Sequence, residues 1–114
     1  MQTKKENSGS PRAQIRSAPM RSRVEIMADM LNETSLSSEG LRKTRMMYRC
    51  NLSSRQLKIY VKLLTEKGFL SVASFDSANG NGNYDIYRIT EEGLFFLKTY
   101  GDLKRRMREG FLKR

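Results

Sequence analysis

Two pairs of like-charged side chains, Arg45 with Arg49 and Lys58 with Lys62, stand four residues apart near the middle of a 114-residue chain. On a helix that spacing stacks each pair on one face, where like charges cost about 0.2–0.5 kcal/mol unless an anion lies between them. Such residues suit the binding of a polyanion better than the breaking of bonds. The chain has no histidine and a single cysteine, Cys50. Imidazole acid–base chemistry, the usual nucleophilic triads and most transition-metal sites are therefore missing. Cys50 has no intrachain partner, and it reads either as a redox-sensitive thiol beside Arg49 or as a small buried residue where helices pack. Glu91 and Glu92 are adjacent, so they point to diverging helix faces and suit the positive end of a helix dipole, not paired catalysis. Gly80 and Gly82 form a Gly-x-Gly, but no helix follows to make a phosphate loop. The chemistry implied is non-enzymatic, with no cofactor, no metal and no small-molecule substrate.

The charge is clustered. A net +10 from 22 bases and 12 acids, with pI ≈ 10.1, points to a polyanionic partner. Residues 1–23 carry net +5, 24–39 net −4, 40–67 net +7, 68–103 net −3 and 104–114 net +5. The four-spaced arginines and lysines fall in the +7 segment. No apolar run is long enough to span a bilayer and residues 1–12 lack an apolar signal region, so a soluble, cytoplasmic (nucleoid) protein is expected.

Periodicity and capping residues place these side chains on elements. Residues 1–20 hold almost nothing to bury and read as a disordered basic arm. Val24, Met27, Ala28 and Leu31 recur at helical spacing behind a Ser22 cap, with Glu25, Asp29 and Glu33 as a solvent-facing acidic stripe. Leu41–Arg42 reads as a very short strand. Thr44 is the expected cap of a second helix that turns Met46, Met47 and Cys50 inward, and Asn51–Leu52 forms the turn. Ser53 opens a third helix with Gln56 completing a capping box, and Gly68 ends it just past Lys67. Two alternating segments, residues 69–76 and 83–90, flank a Gly/Asn-rich tip as a β-hairpin. Thr90 caps a last helix. The expected core includes Val24, Leu57, Val61, Leu64, Leu94 and Leu97. This order specifies an α+β, mostly α fold: a winged helix-turn-helix with a three-helix core, a β-hairpin wing and a C-terminal helix. The domain is assigned to residues 21–100, and residues 101–114 to a basic helix or tail that Gly101 is capable of breaking.

Three blocks carry a family resemblance: RSRVEIMADML, KTRMMYRCNLSSRQLKIYVKLLTEKGFL and YRITEEGLFFLKTY. Together they resemble archaeal winged-helix transcription regulators. They are most similar to the small basic proteins that dimerise through a C-terminal helix in an antiparallel coiled coil. The resemblance implies duplex DNA binding as a homodimer, in transcription or nucleoid organisation, without catalysis or cofactor.

Helical geometry assigns parts to this surface. Arg45 and Arg49 are expected on phosphates, with Arg42 and Lys43 beside them. Ser53, Ser54, Arg55, Lys58 and Lys62 are expected in the major groove or at its rims. Ile59 lies on the same outward face, as a contact to a thymine methyl or as a packing residue at a dimer contact. The wing tip offers Asn79, Asn81 and Asn83 but no cation. Phe96, Tyr100, Leu103, Met107 and Phe111 follow a four–three–four–four spacing suited to a partner helix. Residues 103–114 read alternatively as an anchor for anionic lipid or as a second nucleic-acid tail. The competing function is a winged helix that docks on protein or RNA.

Overall fold

The computed structural model describes residues 21–80 and 82–112, so the arm assigned to residues 1–20 lies outside the described residues. The chain runs α1 (Arg23–Ser35), β1 (Leu41–Arg42), α2 (Lys43–Cys50), α3 (Ser54–Glu66), β2 (Leu70–Asp76), β3 (Asn83–Ile89) and α4 (Glu91–Leu112). This is the expected mostly helical α+β order.

Local side-chain chemistry sets most helix ends. Ser22 and Ser53 each accept from an amide three residues on, at 3.1 Å, while the Glu25 and Gln56 side chains accept from the Ser22 and Ser53 amides. Both are complete capping boxes. The Thr90 hydroxyl accepts from the Gly93 amide at 3.0 Å and donates to the Gly68 carbonyl at 2.6 Å, which caps α4 and ties it to the end of α3. Asn51 closes α2 in the left-handed conformation (φ 55°, ψ 54°), which Asn tolerates better than most residues. Gly68 closes α3 with φ 79°.

The start of α2 departs from expectation. The helix begins at Lys43, not after Thr44; Arg42 holds the N-cap position and no side chain caps it. The reason is tertiary. Leu41 and Arg42 pair with Tyr87 and Ile86 of β3, and β1 runs straight into the helix.

The sheet is antiparallel in the order β1-β3-β2, with the hairpin in register from Leu70↔Ile89 to Asp76↔Asn83. Val72 and Leu41 both pair with Tyr87, so alternation places all three on one face, towards the helices. The core joins Ile26, Met27, Met30, Leu31, Met46, Cys50, Leu52, Leu57, Tyr60, Leu64, Leu70 and Tyr87. Two expected core residues are not in it: Val24 and Leu94 are 45% and 48% exposed. Val61 and Leu97 are half-buried at its edge. α1 packs against α2, β3 and α4 together, so its buried face is wider than one amphipathic stripe and takes in Ile26, Met30 and Thr34. The buried Thr34 hydroxyl is satisfied by the Met30 and Leu31 carbonyls at 3.0 and 2.9 Å.

α4 continues unbroken through Gly101, so the boundary expected after Tyr100 falls inside one helix. Its first turns pack on the domain through Phe96 and Leu97. From Leu103 to Glu109 every side chain is exposed.

Candidate nucleic-acid interface

Burial decides which side chains α2 and α3 present. α3 buries Leu57, Tyr60 and Leu64, which turns Arg55, Lys58, Ile59 and Lys62 outward, all exposed. α2 buries Met46 and Cys50, which turns Thr44, Arg45, Tyr48 and Arg49 outward. Asn51 reverses the chain between them, so the exposed Ser53 and Ser54 begin α3 directly beside the end of α2.

Three clefts link these faces. One of about 540 Å³ lies between the end of α1 and the start of α2, lined by Glu33, Leu36, Arg42, Thr44, Arg45 and Arg49. A second, about 500 Å³, joins Arg42, Lys43 and Thr44 to Ser74, Tyr84 and Asp85 of the wing. The third, about 360 Å³, runs between α3 and the sheet, with Lys43, Ser54, Lys58 and Lys62 around an apolar floor of Leu57, Val61, Val72 and Tyr87. Because Arg42, Lys43 and Thr44 are shared, the surface is continuous from α2 to α3.

Its electrostatics are lopsided. Among the described residues, ion pairs engage Arg21, Arg49 and Arg105, and none engages Arg42, Lys43, Arg45, Arg55, Lys58 or Lys62. Arg42 is held by a ring instead, its guanidinium 3.8 Å from the centroid of Tyr84, which itself stacks on Phe75. The amides of the first turn of α2, uncapped by any side chain, add the positive end of a helix dipole to the same place. Two acids line this surface: Glu33, which takes Arg49, and Asp85, which accepts from Ser74 at 2.7 Å.

Several expected roles change. Arg49 donates to Glu33 across the gap to α1 at 3.4 Å, and Arg21 pairs with Asp29 at 2.7 Å. Two of the three acids on the α1 stripe, Asp29 and Glu33, are therefore paired with arginines, and Arg49 is shared between an acid and the surface. The Ser53 oxygen is the α3 cap, which leaves its proton as the group able to reach outward. Phe96 stacks on Phe69 at 4.9 Å and packs on the core, and half-buried Tyr100 stacks on Phe96. Both serve this domain. The exposed part of the expected seam is Leu103 and Met107, while the Phe111 side chain lies outside the described residues.

Three features were missed by sequence reasoning. Tyr48 is 83% exposed between Arg45 and Arg49, and a helical wheel drawn through Met46 and Cys50 would have turned it outward. The Arg42–Tyr84 contact joins residues 42 apart in the chain and has no local signal. Arg21 donates to the Cys50 carbonyl at 2.8 Å and the Asn51 carbonyl at 3.3 Å as well as to Asp29. It thus fastens the start of α1 to the turn that orients α3.

Cys50 is buried, and burial, reinforced by the Glu33 and Asp29 carboxylates, pushes its thiol up to about 11. It is a packing residue, in contact with the Met46 sulfur at 3.8 Å, and not an activated thiolate. Tyr87, at the groove floor, is also raised, by burial first and then by Asp85. No described helix is long and apolar enough to cross a membrane.

Comparison with known proteins agrees with this geometry. The chain is similar in structure to Sso10a-2, a DNA-binding protein from Sulfolobus solfataricus, at TM-score 0.62 and 24% identity over 82% of this chain and 87% of that one. It is also similar to the PcaV transcriptional regulator from Streptomyces coelicolor, at TM-score 0.64 and 24% identity over 77% of this chain but only 62% of that one. PcaV in complex with its natural ligand gives 0.61 and 24%, over 76% and 59%. No curated protein matches the chain by sequence. The profile of one family, winged helix-turn-helix, spans residues 20–108, from ahead of the Ser22 cap to the exposed half of α4, and the chain belongs to that family.

Proposed function

We propose that this protein binds double-stranded DNA as a homodimer and acts as a transcription regulator or nucleoid-associated protein. α3 lies in the major groove, and the start of α2 sits over the phosphate backbone. The observation that carries the reading is the surface joining Arg42, Lys43, Arg45, Lys58 and Lys62, none of them paired with an acid among the described residues, around an uncapped helix start. Cations left unpaired along one groove stand ready for an anion of similar length. Sso10a-2, by its description a DNA-binding protein, and the regulator PcaV support a non-catalytic, DNA-binding role.

Within this reading Arg42, Lys43 and Arg45 contact phosphates with Arg49 in support. Ser53, Ser54, Arg55, Lys58 and Lys62 reach the groove and its edges. The dimer forms through the projecting half of α4, where Leu103 and Met107 are 57% and 61% exposed on one side of the helix. Phosphate binding releases counterions, with a log–log salt slope of about −0.9 per phosphate contacted. A dimer touching roughly four to eight phosphates then loses about a hundredfold or more in affinity between 50 and 200 mM salt. Fluorescence anisotropy with mixed-sequence duplex DNA and with RNA tests this. Flat salt dependence, or RNA preferred over duplex, would instead support docking on RNA or protein.

A further inference from the structure

Ile59 is the apolar exception on the cationic face of α3. It is 52% exposed and takes no part in the core, which on this helix uses Leu57, Tyr60 and Leu64, with Val61 and Leu63 packed at the edge. Arg55 stands four residues before it and Lys62 three after, so helical geometry sets all three on one strip, with Lys58 alongside. A β-branched side chain gains nothing for the helix at an exposed position, where Lys, Arg or Glu have better propensity. An apolar partner outside the domain would add the free energy of burying it. A second copy of this face is not that partner, because a two-fold contact through Ile59 sets the cations Arg55, Lys58 and Lys62 of one copy against those of the other.

We propose that Ile59 recognises the 5-methyl group of thymine, making it a specificity-determining residue of the interface. This rests on α3 lying in the major groove, as in the function proposed above. There thymine presents a C5-methyl, the apolar mark of the base-pair edges, whereas guanine presents O6 and N7 acceptors suited to Arg or Lys. Arg55 to Lys62 spans about 10.5 Å along the helix axis, at 1.5 Å per residue. That is close to three base-pair steps at about 3.4 Å each. The strip therefore matches a thymine flanked by bases that offer acceptors to Arg55 and Lys62. The same chemistry accepts 5-methylcytosine, whose methyl occupies the equivalent place.

The test uses the full-length chain and one mixed-sequence duplex pool made with either thymine or uracil, which differ only by the methyl group. Burial of one methyl, worth about 0.8 kcal/mol, corresponds to about fourfold in affinity, and the two Ile59 side chains of a dimer bury two, about fifteenfold together. The thymine pool is expected to bind more tightly by about that factor, and Ile59→Ser to bind both pools equally, at the level of the native chain on uracil. Circular dichroism checks that the variant keeps its helices, as an exposed position allows. Equal binding of the two pools by the native chain overturns the proposal while leaving DNA binding intact. A preference for thymine that persists in Ile59→Ser overturns it as well, by assigning the methyl effect to duplex shape or another residue. Absence of binding to both pools overturns the DNA-binding function and this inference together.

Discussion

Single residues set how firmly the reading helix is held. Arg21, before the first turn of α1, bonds at once to Asp29 and to the carbonyls of Cys50 and Asn51. Its replacement by Ala leaves a half-exposed Asp29 without its cation and the end of α2 without its donor. We expect Arg21→Ala to cost about 1–3 kcal/mol in chemical denaturation, the range for hydrogen bonds to charged groups. DNA affinity should fall while the salt slope stays constant, since no phosphate contact is removed. A flattened slope would instead place Arg21 on the DNA. Cys50 gives a pH prediction. Its folded-state thiol, at about 11, lies above the ordinary thiol value of 9.0, so the folded chain holds the proton more tightly than the unfolded one. The resulting stability is complete below pH 9 and is lost as pH rises towards 11. Melting temperature should therefore decline over that window, and Cys50→Ala should flatten the decline, leaving the smaller part due to Tyr87. Alkylation of the native thiol at neutral pH should be slow, because the thiolate is scarce and buried.

Elements respond to the space around them, and α4 contains an internal control. A Cβ on Gly93 would overlap the Phe69 carbonyl oxygen and approach Ile89 Cγ1 to 2.8 Å, whereas a Cβ on Gly101 meets nothing within 4 Å. Ala is favoured over Gly inside a helix by about 1 kcal/mol. Gly101→Ala should therefore stabilise by about 0.5–1 kcal/mol, and Gly93→Ala should destabilise despite the same propensity gain. Thermal melts of the two variants measure this, and equal shifts would mean that α4 does not pack against the end of α3 as closely as described. The sequence flagged Gly101 as the risk to the helix, from propensity alone. It passed over Gly93, where close approach to the chain after α3 requires a residue without a side chain. The N-cap of α2 was misread for a related reason: Thr44 is a good local cap, but pairing of Leu41 and Arg42 with β3 overrides it.

At the scale of the whole molecule, two exposed surfaces stand apart. α2 and α3 carry the cationic one, beside the wing, and the outer half of α4 carries the other, with Leu103 and Met107. Leu103 and Met107 are four apart on one face of α4, continuing the side on which Phe96 and Tyr100 meet the domain. Replacing both Leu103 and Met107 with Glu should shift a dimer to monomer by light scattering while leaving the thermal melt of the domain nearly unchanged, since neither touches the core. It should also reduce the magnitude of the salt slope towards half, as each monomer binds alone. A native chain already monomeric at micromolar concentration would remove the seam and favour a basic tail. Spacing alone put Phe96 and Tyr100 in the expected seam, yet both stack within the domain. Nothing in the spacing of Phe96 and Tyr100 tells that Phe69 is waiting for the first of them within the same domain.

Features that depend on residues three or four apart were determined by the sequence alone: the Ser22 and Ser53 caps, the Asn51 turn, the Gly68 stop, the alternation of the hairpin strands and the cationic face of α3. These contacts close within one turn of helix or one step of strand, so the order of residue types is enough to specify them. From that order follow the winged helix-turn-helix and the concentration of charge on its central helices. Only tertiary structure decided which arginines stay available. Arg49 meets Glu33, and Arg21 reaches the Cys50 and Asn51 carbonyls, because α1 crosses α2. Arg42 is instead held on the Tyr84 ring because β1 pairs with β3. Each such match joins segments whose separation along the chain carries no distance information until the core has packed, and that packing leaves Arg45, Arg55, Lys58 and Lys62 without an acid among the described residues.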